Sequence, residues 1–380
     1  MKLQALLPQR VLTPSGLESG KAVLVEDDIV VALLPAADCP AGAHQCELDG
    51  DLLPGFIDLQ VNGGGGVLFN DQPTVDGIAA IARAHRRFGT TGMLPTLISD
   101  DLDVIERAIG AVDEAIKRGV PGVLGIHIEG PFLNPAKKGI HDSAKFRLLD
   151  QQAIDLLSSL RRGRTLMTLA PELAPPGAVR ALTERGVIVA AGHTDATFEQ
   201  VGAALEEGLA GFTHLYNAMT QLGSRAPGAV GAALDDGRSW CGLIVDGHHV
   251  HPAALRVALR AKGAERLVLV TDAMPTVGSE VKEFRLGGRL IVARDGRCTD
   301  DAGTLAGSDL DMASAVRNAE IMMNVDFAIA VGMASESPAR AIGLAGCRGI
   351  ISAGAHADLV LMDGDKQVVE TWIGGVAKRV

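Results

Sequence analysis

The stretch VLGIHIEGPF (123–132) is an apolar run that ends in an ionisable pair and a Gly-Pro turn. Such a run reads as a buried strand whose polar residues gather at its C-terminal end. Working outward, the same design recurs. PGFIDLQVNGG (54–64) and TTGMLPTLIS (90–99) precede it. TLMTLAPE (165–172), VIVAAGHTDA (187–196), GFTHLYNAM (211–219), WCGLIVDGHHV (240–250) and RLVLVTDAM (266–274) follow it. Amphipathic segments of helical period lie between the runs, at 75–88, 102–117, 153–160, 178–185 and 198–207. Strands alternating with helices in this number predict an α/β chain built as a (β/α)8 TIM-like barrel. A doubly wound sheet would carry a phosphate fingerprint after an early strand, and Gly63-Gly64-Gly65-Gly66 does not fit G-x-G-x-x-G.

Outside these runs the pattern is different. Residues 21–25 and 29–34 read as β segments around a turn at 26–28, and 357–361 and 368–373 are β again. The two chain ends are therefore expected to pair into a small β-sandwich domain, from residues 1–53 and 350–380. The barrel takes 54–349, with a hairpin insertion near 283–300 (EFRLGGRLIVARDGR at 283–297) and a helix over 310–323.

Composition narrows the function. The chain has 380 residues, 47% hydrophobic, with ten histidines against twelve aromatics and a formal net charge of −11. That is ample for a large core and leaves no cationic footprint for nucleic acid. No apolar run approaches the length of a membrane span, and residues 1–20 lack the apolar core of a signal peptide. Five scattered cysteines, none in a CxxC, argue against a disulfide framework or a thiolate zinc site. A cytoplasmic protein is expected.

Catalytic groups of such a barrel sit where its strands end. Those ends here carry Gln60 and Asn62, His127 and Glu129, His193 and Asp195, His214 and Asn217, then Asp246, His248, His249 and His251, and finally Asp272. His141 follows in the loop after the third run. One carboxylate and two imidazoles from three strands, Glu129, His193 and His214, suit one divalent ion and leave a position open for water. Asp272 could then take a proton from that water. His127 reads as structural, and Asp195 and Asp246 as caps or braces. Gln60 and Asn62 share a strand face, and neutral amides are poor zinc ligands beside imidazole and carboxylate, so a single metal is expected.

PGFIDLQVNGGGG (54–66), HIEGPF (127–132), AGHTDAT (191–197), THLYNAM (213–219), DGHHV (246–250) and TDAM (271–274) together resemble the N-acetylglucosamine-6-phosphate deacetylases of the amidohydrolase superfamily. The resemblance covers nearly the whole chain. It implies a metal-dependent hydrolysis of the acetamide of N-acetyl-D-glucosamine 6-phosphate to glucosamine 6-phosphate and acetate. By motif position it implies Glu129, His193 and His214 as metal ligands, Asp272 as general base and His141 as the group that polarises the carbonyl. It also implies substrate contacts from Gln60 and Asn62, and phosphate binding by Asn217, Ala218, Arg225 and His249, with Arg225 reaching the neighbouring site of a homodimer. The ion is expected to be zinc, although iron and manganese accept the same ligands. The substrate alternative is the galactosamine epimer. A rival of another class is a barrel that lost its metal and serves as an assembly subunit. LAGSD (305–309) is a candidate for a closing loop, because its Gly and Ser residues permit movement.

Overall fold

The computed structural model describes residues 3–380. Eight parallel strands follow one another around a barrel: Phe56–Val61, Thr90–Ile98, Gly125–Glu129, Arg164–Leu169, Ile188–Ala191, Gly211–Phe212, Trp240–Leu243 and Leu267–Leu269. Each of the eight apolar runs supplies one of them, and each strand pairs with the next. Strands one and two are buried along their whole length, as a sheet covered on both faces requires. Strands one and eight meet at a seam with a single backbone bridge, Val61 to Ala273.

The helices between strands form for local reasons. Thr74 caps Val75–Arg86 by accepting the Gly77 N–H at 3.1 Å, and Ile78 and Ile81 turn one face to the core. Helix Leu102–Lys117 buries Ile105, Ala108, Ile109, Val112 and Ala115 at the same spacing. A reciprocal capping box between Thr197 and Gln200 opens Phe198–Glu206. Four helices end two or more residues before their periodicity predicts: Gln151–Leu157, Ala178–Thr183, Val75–Arg86 and Met312–Ala319. The first also starts earlier, because Asp150 caps it. The last runs on as a wider π turn, Glu320–Asn324.

Strands from both chain ends join one separate eight-stranded sheet, in which His44–Pro54 lies parallel to Gln4–Thr13 and antiparallel to Leu359–Met362. Gln4–Thr13 contains Pro8, which breaks the apolar pattern in the sequence. The strand tolerates it because the register shifts there, and because its antiparallel pairing switches partner between Leu6 and Arg10. Glu283–Leu286, Arg289–Arg294, Arg297–Thr299 and Leu305–Ser308 form a four-stranded antiparallel sheet over the barrel mouth. The expectation of a mobile closing loop at 305–309 is corrected by this: residues 305–308 are a paired strand. Backbone bonds from Ser308 N–H to Asp272 O (2.9 Å) and from Met274 N–H to Ser308 O (3.0 Å) pin it to the end of strand eight. Among the described residues no helix is long and apolar enough to cross a membrane.

Candidate active site

Glu129 is the last residue of strand three; His193, His214 and Asp272 follow strands five, six and eight by two or three positions. Glu129, His193 and His214 are buried and Asp272 is half-buried, and the last three share an unusual backbone, with φ of 49°, 32° and 53°. A non-glycine residue in the left-handed region is strained and persists only where its surroundings hold it. Here the turns are held by Asn134 N–H on His193 O, Leu215 N–H on Gly242 O and Ser308 N–H on Asp272 O.

The first three side chains converge. Glu129 Oε1 lies 3.0 Å from His193 Nε2 and 2.9 Å from His214 Nε2, and the two nitrogens are 3.0 Å apart. Among the described residues this is the one group of three or more such side chains whose ligand atoms gather so closely. His193 Nδ1 is 2.8 Å from the carbonyl oxygen of Lys137, which can only accept, so Nδ1 carries the proton. In the form that binds a metal, Nε2 gives its lone pair to the point where Glu129 Oε1 and His214 Nε2 also meet, and the triangle is small enough for all three to reach one ion at about 2.0–2.1 Å. Burial alone would push the Glu129 carboxyl up, but His193 and His214 hold it well below the usual carboxylate range, in its ligating form. The three residues fit a divalent metal ion.

Two further groups face the same space. His141 is 3% exposed, with Nε2 3.9 Å from Glu129 Oε1. Its Nδ1 meets the Ser99 hydroxyl at 2.8 Å and accepts the Ser99 backbone N–H at 3.4 Å. A backbone N–H can only donate, so Nδ1 is the bare nitrogen and Nε2–H is the donor turned to the site. Burial, with the charge of His193 adding to it, pushes this imidazole down to about 3, so it stays neutral. Asp272 Oδ1 accepts from Gln60 Nε2 (3.0 Å) and Asn62 Nδ2 (2.6 Å). Gln60 Nε2 also donates to Glu129 Oε2 at 3.0 Å. Burial, reinforced by the Glu129 charge, pushes the Asp272 carboxyl up to about 6.

A cavity of about 470 Å³ opens over these groups, lined by Glu129, His141, His193, His214 and Asp272, and further out by Asn217, Ala218 and His249. Gln60 and Asn62 do not line it; their amides lie behind Asp272. Arg225 does not line it either, and is exposed on its loop. The neighbouring histidines are otherwise engaged. His248 Nε2 sits 3.0 Å from Asp295 O, the His251 ring caps helix Pro252–Lys262, and His127 is buried between Thr96 and Thr168. Asp246 braces His249, 2.6 Å from its Nδ1, and Asp195 pairs with Lys137. Reading the sequence missed Lys137 and Ser99, whereas Leu305 and Gly307, which line the cavity, belong to the LAGSD segment it placed at the site. The KKG before His141 was the available signal for Lys137. A second cavity, of about 480 Å³, lies beside helices Phe327–Ala334 and Glu336–Ala341, and its lining contains no histidine.

The amidohydrolase family profile matches residues 52–378. The chain belongs to the amidohydrolase family. Among curated relatives, an N-acetylgalactosamine-6-phosphate deacetylase of Shewanella sp. (strain ANA-3) is 45% identical over 96% of this chain and 93% of its own. An N-acetylglucosamine-6-phosphate deacetylase of Haemophilus influenzae is 35% identical over 93% of each. The crystal structure of the N-acetylglucosamine-6-phosphate deacetylase from Pasteurella multocida superposes with a TM-score of 0.96 at 33% identity, covering 100% of both chains. This amidohydrolase is thus a hydrolytic enzyme whose barrel carries a candidate divalent-metal centre at Glu129, His193 and His214.

Proposed function

We propose that the enzyme hydrolyses the acetamide of N-acetyl-D-glucosamine 6-phosphate, releasing glucosamine 6-phosphate and acetate. The observation that carries this reading is the convergence of Glu129, His193 and His214 on one point, beneath a cavity that Asp272 and His141 also line. A divalent ion held by Glu129, His193 and His214, zinc on this reading, would polarise the amide carbonyl and make the attacking water more acidic. Asp272 takes the proton from that water and returns it to the departing amine. Its Oδ1 is occupied by Gln60 and Asn62, so Oδ2 is the oxygen available for this transfer. His141 donates Nε2–H to the carbonyl oxygen, where negative charge grows as the tetrahedral intermediate forms. Gln60 and Asn62 serve the substrate by holding Asp272 and Glu129 in place. The amides of Asn217 and Ala218 and the ring of His249 bind the phosphate. Arg225, exposed in its own subunit, supplies its fork to the neighbouring site of a homodimer. We place the enzyme in the cytoplasm.

A second reading keeps the chemistry and changes the sugar. The Shewanella relative named for the galactosamine epimer is 45% identical, against 35% for the Haemophilus glucosamine enzyme. The test is acetate release from each epimeric 6-phosphate, before and after chelation, with metal content measured. The glucosamine reading requires the higher kcat/KM on the gluco substrate, and a higher value on the galacto substrate selects the second reading. Turnover that survives complete metal removal overturns both.

A further inference from the structure

Asp58 is a fully buried carboxylate with no part in the chemistry above, yet its bonds lead to Asp272. It stands on strand one, at the seam where strands one and eight share a single backbone bridge. Asp58 Oδ1 accepts the backbone N–H of Gln60 at 3.1 Å and of Thr271 at 3.3 Å, and Oδ2 accepts the Thr271 hydroxyl at 2.5 Å. The same hydroxyl oxygen accepts the Ala273 N–H at 3.2 Å. The residues on both sides of Asp272 are therefore tied to one side chain of strand one. Asp272 lies between them with φ of 53°, its N–H on Gln60 O at 3.0 Å.

We propose that Asp58 is a positioning residue for Asp272, holding through Thr271 the left-handed turn that aims the general base into the cavity. The seam has no continuous strand ladder: the Asp272 N–H on Gln60 O and the Asn62 and Gly63 N–H groups on Ala273 O cross it, and the Asp58 side chain adds the tie at Thr271. Removing the carboxyl group leaves the buried Thr271 N–H without its acceptor and the hydroxyl with only the longer contact to Gln60 O at 3.4 Å, and a strained turn relaxes when its restraints go. A neutral group of the same shape can fill the place. Burial pushes the Asp58 carboxyl up to about 7, against the hydrogen bonds from Thr271 and Gln60. The site therefore does not demand a charge, and an amide can present an oxygen to both N–H groups.

The inference rests on the functional reading above, and the experiment separates the two. Metal-loaded wild type, Asp58→Ala, Asp58→Asn, Thr271→Val and Thr271→Ser are compared for kcat, KM, metal content and melting temperature, on whichever epimeric substrate wild type prefers. Asp58→Ala and Thr271→Val are expected to lose about ten- to a hundred-fold in kcat at near wild-type KM and metal content, the scale of a misplaced catalytic group. Asp58→Asn and Thr271→Ser recover most of that loss, and the double variant Asp58→Ala/Thr271→Val is no worse than Asp58→Ala. Wild-type kcat in Thr271→Val overturns the proposal, and so does an Asp58→Asn enzyme as slow as Asp58→Ala. Parallel losses of KM, metal and kcat overturn it too, because they mark a merely structural carboxylate. If Asp58→Ala does not fold, the Thr271 pair decides alone. No turnover by wild type on either sugar phosphate instead sinks the functional reading.

Discussion

The two proton-handling groups, Asp272 and His141, depart from their ordinary titration in ways that suit opposite jobs. A general base must be ionised to work. With its carboxyl raised to about 6 by burial and the Glu129 charge, Asp272 loses that form as pH falls through this value. A bound divalent cation favours the carboxylate, so the acid limb of kcat in the loaded enzyme is expected at or below about 6. Asp272→Asn should remove the limb and about a hundred- to ten-thousand-fold of kcat while metal stays bound. A variant that keeps the limb would assign it to another group. His141 is pushed down to about 3, so it contributes no limb at neutral pH and acts as a fixed donor. Ser99→Ala keeps the backbone N–H that fixes the His141 tautomer but loses the 2.8 Å hydroxyl contact that orients the ring, and is expected to lower kcat by about two- to ten-fold. A rise in KM at unchanged kcat would contradict a role for Ser99 in the transition state.

At the scale of elements, the barrel was legible because each strand is an apolar run that stops at polar residues, and all eight runs contain a strand. Glu129, His193 and His214 were legible for the same reason: ligand types stand at strand ends, where the architecture brings them together. What could not be read is what depends on distant partners. Ser99 finds His141 across 42 positions, and Asp58 finds Thr271 across 213. No local pattern announces either pair. Gln4–Thr13 was hidden by Pro8, and LAGSD looked mobile because glycine and serine serve close packing as readily as movement. Gly307 in that strand illustrates the point. Its φ is 61°, and a Cβ there would lie 2.7 Å from Asp272 O and 2.6 Å from Met274 Cε. The methionine can swing away, but the carbonyl that receives Ser308 N–H cannot. Gly307→Ala is therefore expected to lower the melting temperature, displace the Asp272 turn and cost about ten-fold or more in kcat, with metal content near wild type. Circular dichroism melts beside steady-state kinetics check this, and an unchanged kcat would show that the turn yields without harm.

For the whole molecule, the net charge of −11 sets a problem that a dianionic substrate must meet locally. The cavity offers His249 and Lys137, the latter paired with Asp195, while Arg225 lies outside it on an exposed loop. The proposed role of Arg225 in the neighbouring site of a homodimer accounts for this position. Two variants of this enzyme distinguish that role from one within its own subunit. Arg225→Ala keeps the chemistry of its site but offers no guanidinium to its partner. Asp272→Asn offers the guanidinium but has no base. Each pure variant should be poor at low substrate concentration. After subunit exchange in an equal mixture, half the dimers are mixed, and each contains one site with both Asp272 and a donated Arg225. About a quarter of all sites should then regain wild-type kcat/KM, as two-fold symmetry dictates. If Arg225 acts within its own subunit, mixing restores nothing, because every subunit still lacks one of the two groups. The control is a mixture kept below the exchange time, measured beside the equilibrated one. Equal activity in the two, at the level of the separate variants, would return Arg225 to its own chain and remove the reason for a shared site.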